Sequence, residues 1–349
     1  MAPHAGTSDA DGLRYRPLDP ARDVSAVCAL FETVFQQPLT PAAWHWKYLG
    51  GPQAGSFSVV AEEVATASLI GHIGVQALPG TRENRPIRLG QTCDVMLHPR
   101  ARAGFGPQST YVRMNDALRA LVQARQDAPQ YLYGFPGQRP ARLGERVGVY
   151  APLQVCTQYT VPPPPPRPGL LPAIWHRLSG MGPLRVRLSA IQPTAAADAV
   201  LDALWQRHLQ ALGAHPQLHA APRLVKDAAY LRWRYWGHPQ QHAAAGGSPL
   251  YTVWLLEDAR GPAGWLVTRA QPDPVVVDSC LPPGAAWSEA ALQALPAPAG
   301  APGARWTCWL PLPGAQARAT PIHAVRVLPR PEHDGWPIPV FQPGDTDVF

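Results

Sequence analysis

Charge is scarce in this chain. Asp, Glu, Lys and Arg make up 15% of its 349 residues, against about 25% in an ordinary globular protein, which excludes a charge-laced coiled coil. Lysine is almost missing: of 30 basic residues only Lys47 and Lys226 are Lys, and the rest are Arg. Those arginines are scattered, so the net charge of +6 implies a mild preference for small anionic ligands, not a nucleic-acid groove. Cysteine is sparse too. Cys28, Cys93, Cys156, Cys280 and Cys308 stand far apart with no C-x-x-C among them, which argues against a zinc knuckle or a disulfide framework. No uninterrupted apolar run reaches the roughly 18 residues of a membrane span, and the opening MAPHAGTSDADG has no apolar signal segment. A soluble cytoplasmic protein with no membrane, nucleic-acid or metal partner is the expectation.

Proline and glycine, by contrast, are plentiful. Together 43 Pro and 30 Gly are 73 of 349 residues, about 21%, still under the roughly 25–30% at which low-complexity disorder takes over. Twelve Trp, ten Tyr and 46% hydrophobic residues supply a core that disordered chains lack. The length suits two domains of about 150–200 residues each.

An internal repeat organises the chain. Residues Trp46–Pro52 read WKYLGGP and Trp233–Pro239 read WRYWGHP. Upstream of each lies L-R-x-R, at Leu13–Arg16 and Leu184–Arg187. Downstream come two apolar runs and then a hydrophobic strand with one Asp, Asp94 in TCDVMLHP and Asp278 in VVVDSCLPP. Between the halves, Pro162–Pro166 reads as a stiff polyproline strap, followed by a short helix over Leu170–Leu178. The expected division is a disordered N-terminus at 1–11, a domain at 12–160, a proline-rich linker at 161–183 and a second domain at 184–349.

In the first half the periodicity predicts strand Leu13–Pro17, helices Ala21–Phe35 and Pro41–Tyr48, and strands Phe57–Glu62, Leu69–Leu78 and Thr92–His98. An Arg/Gly loop at Pro99–Pro107, helix Ser109–Gln126, strand Tyr131–Phe135, helix Pro140–Val147 and strand Gln154–Thr160 come next. This order, with CDVMLHPRARAGFGPQSTYVRMNDAL at 93–118 and YGFPGQRPARLGERVGVY at 133–150, resembles the GNAT acyl-CoA-dependent N-acyltransferases. The likeness covers nearly all of the first half, with a paler copy in the second. It implies a mixed α/β (α+β) fold of two GNAT-like domains, each a mostly antiparallel mixed sheet flanked by helices. The family loop is [Q/R]-x-x-G-x-[G/A]; here Arg102 with Gly104 and Gly106 is one residue short, and Arg100 with Ala103 and Phe105 has Ala at the central Gly.

Independently of the family, a helix start presents freed N–H groups and a positive dipole end to phosphate oxygens. Gly104 and Gly106 allow close backbone approach, and Arg100 and Arg102 can add charged contacts. The resemblance implies an acyl-CoA co-substrate, acetyl-CoA first, held by Met96, Leu97, Arg100, Arg102, Gly104, Phe105, Gly106, Gln108 and Ser109. It also implies Tyr150 as the acid for the departing thiolate, with Glu145 and Asp94 as candidate carboxylate bases for a small-molecule or peptide amine. Because Asp94 recurs as Asp278, it reads better as a buried, hydrogen-bonded strand residue. The second half has Leu281-Pro282-Pro283-Gly284 in place of the loop, and prolines cannot donate to an anion. The histidine pairs His215/His219 and His238/His242 read as solvated side chains, and His72 as a core or cleft histidine. Two other readings stand beside the enzyme: a catalytically silent GNAT-fold scaffold, and an aminoacyl transferase using charged tRNA, which would need a continuous basic groove.

Overall fold

The computed structural model describes residues 12–53, 55–102, 106, 108–162, 184–241, 249–298 and 304–346. The N-terminal stretch 1–11, the strap beyond Pro162, the Leu170–Leu178 helix, His242, Gly104 and Phe105 lie outside them. The elements in chain order begin with β1 (Leu13–Pro17), α1 (Pro20–Phe35), α2 (Pro41–Leu49), β2 (Gly55–Ser56), β3 (Val59–Glu63), β4 (Leu69–Arg82) and β5 (Arg85–Leu97). Next come α3 (Thr110–Ala124), β6 (Tyr131–Gly134), α4 (Gln138–Arg146), β7 (Tyr150–Thr160), β8 (Arg187–Ala190), α5 (Ala195–Leu212) and α6 (Pro216–Ala220). The chain continues through β9 (Arg223–Leu224), α7 (Ala228–Leu231), β10 (Tyr251–Asp258), β11 (Gly261–Arg269), β12 (Val275–Cys280), α8 (Ala285–Gln293), β13 (Thr307–Cys308) and β14 (Gln316–Val327).

Local chemistry starts these helices. Asp19, Thr40 and Ser109 each accept a backbone N–H from the first turn of α1, α2 and α3, and Pro follows the cap of the first two. Glu83 and Asn84, both at positive φ, close β4 onto β5 in a two-residue turn. That turn makes a longer ribbon than the sequence pattern implies: β5 starts at Arg85 instead of Thr92, and β4 runs on to Arg82. Two further boundaries move. β7 begins at Tyr150, ahead of the expected Gln154, and β8 begins at Arg187, so the second L-R-x-R precedes its strand.

The chain folds into two compact units. One takes the residues up to Val155 with Ala221–Val225 and Pro321–Ile338; the other takes Cys156–Ala220, Lys226–Thr320 and the chain from Pro339. In the first, β1-β3-β4-β5 are antiparallel neighbours, β6 joins β5 in parallel, and β14 pairs antiparallel with β6. In the second, β8-β10-β11-β12 repeat the antiparallel order, β13 joins β12 in parallel, and β7 pairs with β13. Side chains alternate along β3: Val59 and Ala61 join one core with Met114, Leu118 and Tyr150, while Val60 joins the other with Val27, Trp44, Tyr48 and Met96.

Each unit contains the same buried clasp. Asp94 takes Lys47 Nζ at 2.8 Å on one oxygen and the Tyr48 hydroxyl at 2.6 Å on the other. Asp278 takes Lys226 Nζ at 2.7 Å and the Tyr235 hydroxyl at 2.8 Å. Tyr48 and Tyr235 occupy the same place in the two W-[K/R]-Y repeats, so the spacing that the repeats share delivers the phenol. The ammonium arrives differently, from the residue before Tyr48 in one unit and from the end of the segment before α7 in the other. There Arg234 donates instead to the carbonyl of Gly344 at 3.2 Å and to that of Thr346. Asp345 adds a second carboxylate to Lys226 at 2.7 Å.

Burial works to raise the Asp94 pKa, but the Lys47 charge and the hydrogen bonds from Lys47 and Tyr48 outweigh it and hold the carboxyl below its ordinary 3.8. The clasp therefore stabilises the fold above that value, and its contribution fades as pH falls through the lower, folded value. Asp278 is pushed the other way, by burial and by Asp345. Lys47→Met should cost about 3–5 kcal/mol in denaturant unfolding by leaving a buried carboxylate unpaired, and Lys47→Met/Asp94→Asn should recover part of it. An unchanged midpoint in the single variant would show that the pair does not hold the unit.

Candidate functional site

The parallel pair in the first unit is short. β5 and β6 are in register only from Leu89–Tyr131 to Thr92–Gly134. β6 ends at Gly134, whereas β5 continues to Leu97, so Cys93–Leu97 pass beyond their parallel neighbour. A bulge marks the departure. The β4–β5 register jumps between His72–Met96 and Gly74–Cys93, leaving Ile73 opposite both Asp94 and Val95. Asp94 has φ 46° there, and such a bulge bends and twists its strand.

His72 pins the bulge. Its Nδ1 lies 2.8 Å from the Asp94 carbonyl and donates to it. Burial lowers the His72 pKa, so the neutral ring carries its proton on Nδ1. Its Nε2 is buried with no hydrogen-bond partner among the described residues.

Beyond β5 the chain makes one tight turn, Pro99–Ala101, with the His98 ring accepting from the Arg100 N–H at 3.3 Å. Arg102 Nε donates to the Leu97 carbonyl at 3.1 Å. Arg100 pairs with Glu63 at 2.8 Å, both at the surface. Gly106 accepts from the Ser109 N–H at 2.9 Å, and among the described residues a Cβ at Gly106 would meet nothing within 4 Å. Ser109 then caps α3, and Gln108 accepts from Arg113. Gln108 and Ser109 thus stand at the start of a 15-residue helix, while Arg100 pairs with Glu63 and Arg102 with the Leu97 carbonyl.

The sheet separates the candidate chemical residues. Asp94 and Met96 face the core under α1 and α2, and Met96 is fully buried there. Leu97 packs on the other core, which holds Tyr150. The hydroxyls of Tyr150 and of Tyr111, the second residue of α3, share a hydrogen bond. Burial pushes the pKa of Tyr150 up, the Tyr111 bond offsetting part of the rise; Tyr111 is raised by burial and by Tyr150. Both phenols keep their protons at neutral pH.

Tyr111 is a partner of a candidate site residue that the sequence pattern does not single out. Its position in the first turn of α3 is legible, but its partner lies 39 residues on, at the start of β7. Glu145 is exposed on α4 and lines a cavity of ≈ 230 Å³ with Arg142, Tyr150, Gln154 and His323. Among the described residues no cluster of His, Cys, Asp and Glu could hold a metal ion.

No protein-family model matches the chain, and no curated protein matches it. Solved structures do match in fold. A conserved Enterococcus faecalis protein of unknown function, described as a probable N-acyltransferase, superposes with a TM-score of 0.58 at 12% identity over 90% of this chain and 72% of its own. A GCN5-related N-acetyltransferase from Kribbella flavida gives 0.54 at 14% identity, covering 91% and 72%. One from Anabaena variabilis gives 0.54 at 12%, covering 91% and 73%. At such identities the likeness is one of fold: this chain has the GNAT fold.

Tyr150 owes its place to a glycine. Its ring lies so close to Gly144 of α4 that a Cβ there would fall 2.1 Å from Cδ2. Gly144→Ala should therefore displace the ring and destabilise the unit by about 1–3 kcal/mol. Gly148→Ala, at φ 73° with open space around it, should cost only the backbone strain of about 1 kcal/mol. Equal losses in urea unfolding would show that the Tyr150 contact has no special weight.

Proposed function

We propose that the first unit is an acyl-CoA-dependent N-acyltransferase, with acetyl-CoA as donor and a small-molecule or peptide amine as acceptor. One observation carries the reading: β5 outruns its parallel partner at a pinned bulge. Past Thr92 the strand stays paired with β4 but passes beyond its pairing with β6, and on that open edge an N–H can polarise a thioester carbonyl.

The residues at the start of α3 suit the co-substrate's diphosphate. The first-turn N–H groups and the positive dipole end favour anionic oxygens. Arg102 brings a guanidinium already tied to the Leu97 carbonyl, and Gly106 leaves its side open. Met96 and Leu97 supply the strand backbone; Gln108 and Ser109 shape the helix entry. The second unit enters its equivalent helix α8 through Pro282 and Pro283, without a side-chain cap, and is assigned no donor site.

In the transfer, the amine nitrogen attacks the thioester carbonyl, the C–S bond breaks, the sulfur gains a proton and the nitrogen loses one. Tyr150 fits the first proton. Burial keeps the phenol protonated, and its hydroxyl is held by the hydrogen bond shared with Tyr111. Glu145 is the carboxylate that shares a cavity with Tyr150 and is assigned the amine's proton, directly or through water. Asp94 is assigned to the fold, since both its oxygens are engaged.

Calorimetric titration of acetyl-CoA into the full chain should show binding that Arg100→Ala/Arg102→Ala weakens. A folded wild type that binds neither acetyl-CoA nor free CoA would overturn the reading in favour of a silent scaffold. Tyr150→Phe should lower kcat on the order of 100-fold while the acetyl-CoA affinity stays unchanged. A parallel loss of affinity would make Tyr150 a packing residue.

A further inference from the structure

The far end of the β4–β5 ribbon holds a second cavity, of ≈ 400 Å³, within the roughly 300–1,000 Å³ of small-molecule sites. Arg82 and Arg85 flank the ribbon's turn, Pro86 and Ile87 form a wall, and Arg330 and Trp336 come from the chain after β14. All belong to the first unit. β5 runs 13 residues from Arg85 to Leu97, which at about 3.3 Å per residue puts this cavity roughly 40 Å from the diverging strand end. The two are separate places on one sheet.

Three guanidinium groups line the cavity, with Glu332 as its one acid. Arg82 and Arg85 are direct cross-strand partners, an arrangement in which like charges destabilise the hairpin. The acids nearby compensate loosely. Glu83 lies 3.4 Å from Arg82 and Glu332 lies 3.6 Å from Arg330, beyond ordinary hydrogen-bond length, and both acids are exposed.

Arg82 is nevertheless held firmly. Its guanidinium sits 4.3 Å over the Trp336 ring, and Trp336 stacks on the fully buried Tyr131 at an interplanar angle of 7°. His333 braces the same indole with ring centroids 4.7 Å apart. Arg82 Nε is buried with no hydrogen-bond partner among the described residues. The sandwich fixes a cation beside two others before any ligand arrives, which reduces the ordering cost of binding.

We propose that this cavity binds a small dianion, a phosphate monoester or a dicarboxylate, through Arg82, Arg85 and Arg330. Guanidinium forks match the paired oxygens of both groups. A bound dianion would also relieve the Arg82–Arg85 repulsion. The proposal does not depend on the acyl-transfer reading, because it uses none of that site's residues.

Isothermal titration of the full chain with inorganic phosphate, glycerol phosphate and succinate tests it and separates the two ligand sources. At least one should bind saturably, one per chain, and Arg85→Ala/Arg330→Ala should weaken it about tenfold or more. Arg100→Ala/Arg102→Ala should leave it unchanged. Without ligand, the Arg85→Ala/Arg330→Ala variant should melt no lower than the wild type. Should it fail to fold, Arg85→Gln alone, at an exposed side chain, carries the same expectation. No saturable binding by the wild type, or binding lost only in the Arg100/Arg102 variant, overturns the proposal.

Discussion

An ammonium and a carboxylate buried side by side set the geometry of each unit. Taking such a pair out of water costs several kcal/mol per ion, so the pair persists only where its bonds are well made. Lys47 and Tyr48 each hold a different oxygen of Asp94, and His72 holds its carbonyl. Helix α2 and strand β4 are thereby tied to one residue of β5, the residue at the bulge. The remaining course of β5, its departure from β6 and its delivery of the chain to α3, starts from that fixed point. A chain with only two lysines places each of them in this setting, where a compact ammonium suits a closed cage better than a guanidinium fork.

The sheet's two faces then divide the work. On one, α1 and α2 bury the clasp and Met96 in an apolar core. On the other, Leu97, Tyr111 and Tyr150 gather beside the start of α3. A carboxylate already engaged on one face has little to offer chemistry on the other, and Asp94 and Tyr150, similarly buried, face opposite cores. Gly144 makes the second arrangement possible, because the Tyr150 ring occupies the volume any side chain there would need.

The two units share a frame and differ at its ends. Both units have an antiparallel run followed by a helix and a parallel strand, and both bulge beside the clasped Asp. Yet Lys226 serves two carboxylates, Asp278 and Asp345, and the two aspartates are pulled in opposite directions: Asp94 is lowered, and Asp278 is raised by burial and by Asp345. The helix entries diverge as well, with a Ser cap on α3 and a Pro-Pro-Gly approach to α8.

Short-range chemistry was legible in the sequence. Apolar periodicity located α1, α2 and α3 to within two residues, and the recurrence of Asp94 as Asp278 marked a buried, hydrogen-bonded strand residue without showing its partners. Those signals are local: helical periodicity is written in neighbouring residues, and a repeat copies spacing. Only the tertiary structure decided the long-range choices. That β14, near the chain's end, pairs with β6, that Lys226 replaces the position matching Lys47, and that Tyr111 reaches Tyr150 all depend on which distant segments the sheet brings together. The Arg82–Trp336 sandwich belongs with them, joining residues more than 250 positions apart. Periodicity says which face a residue presents, but packing decides what that face meets.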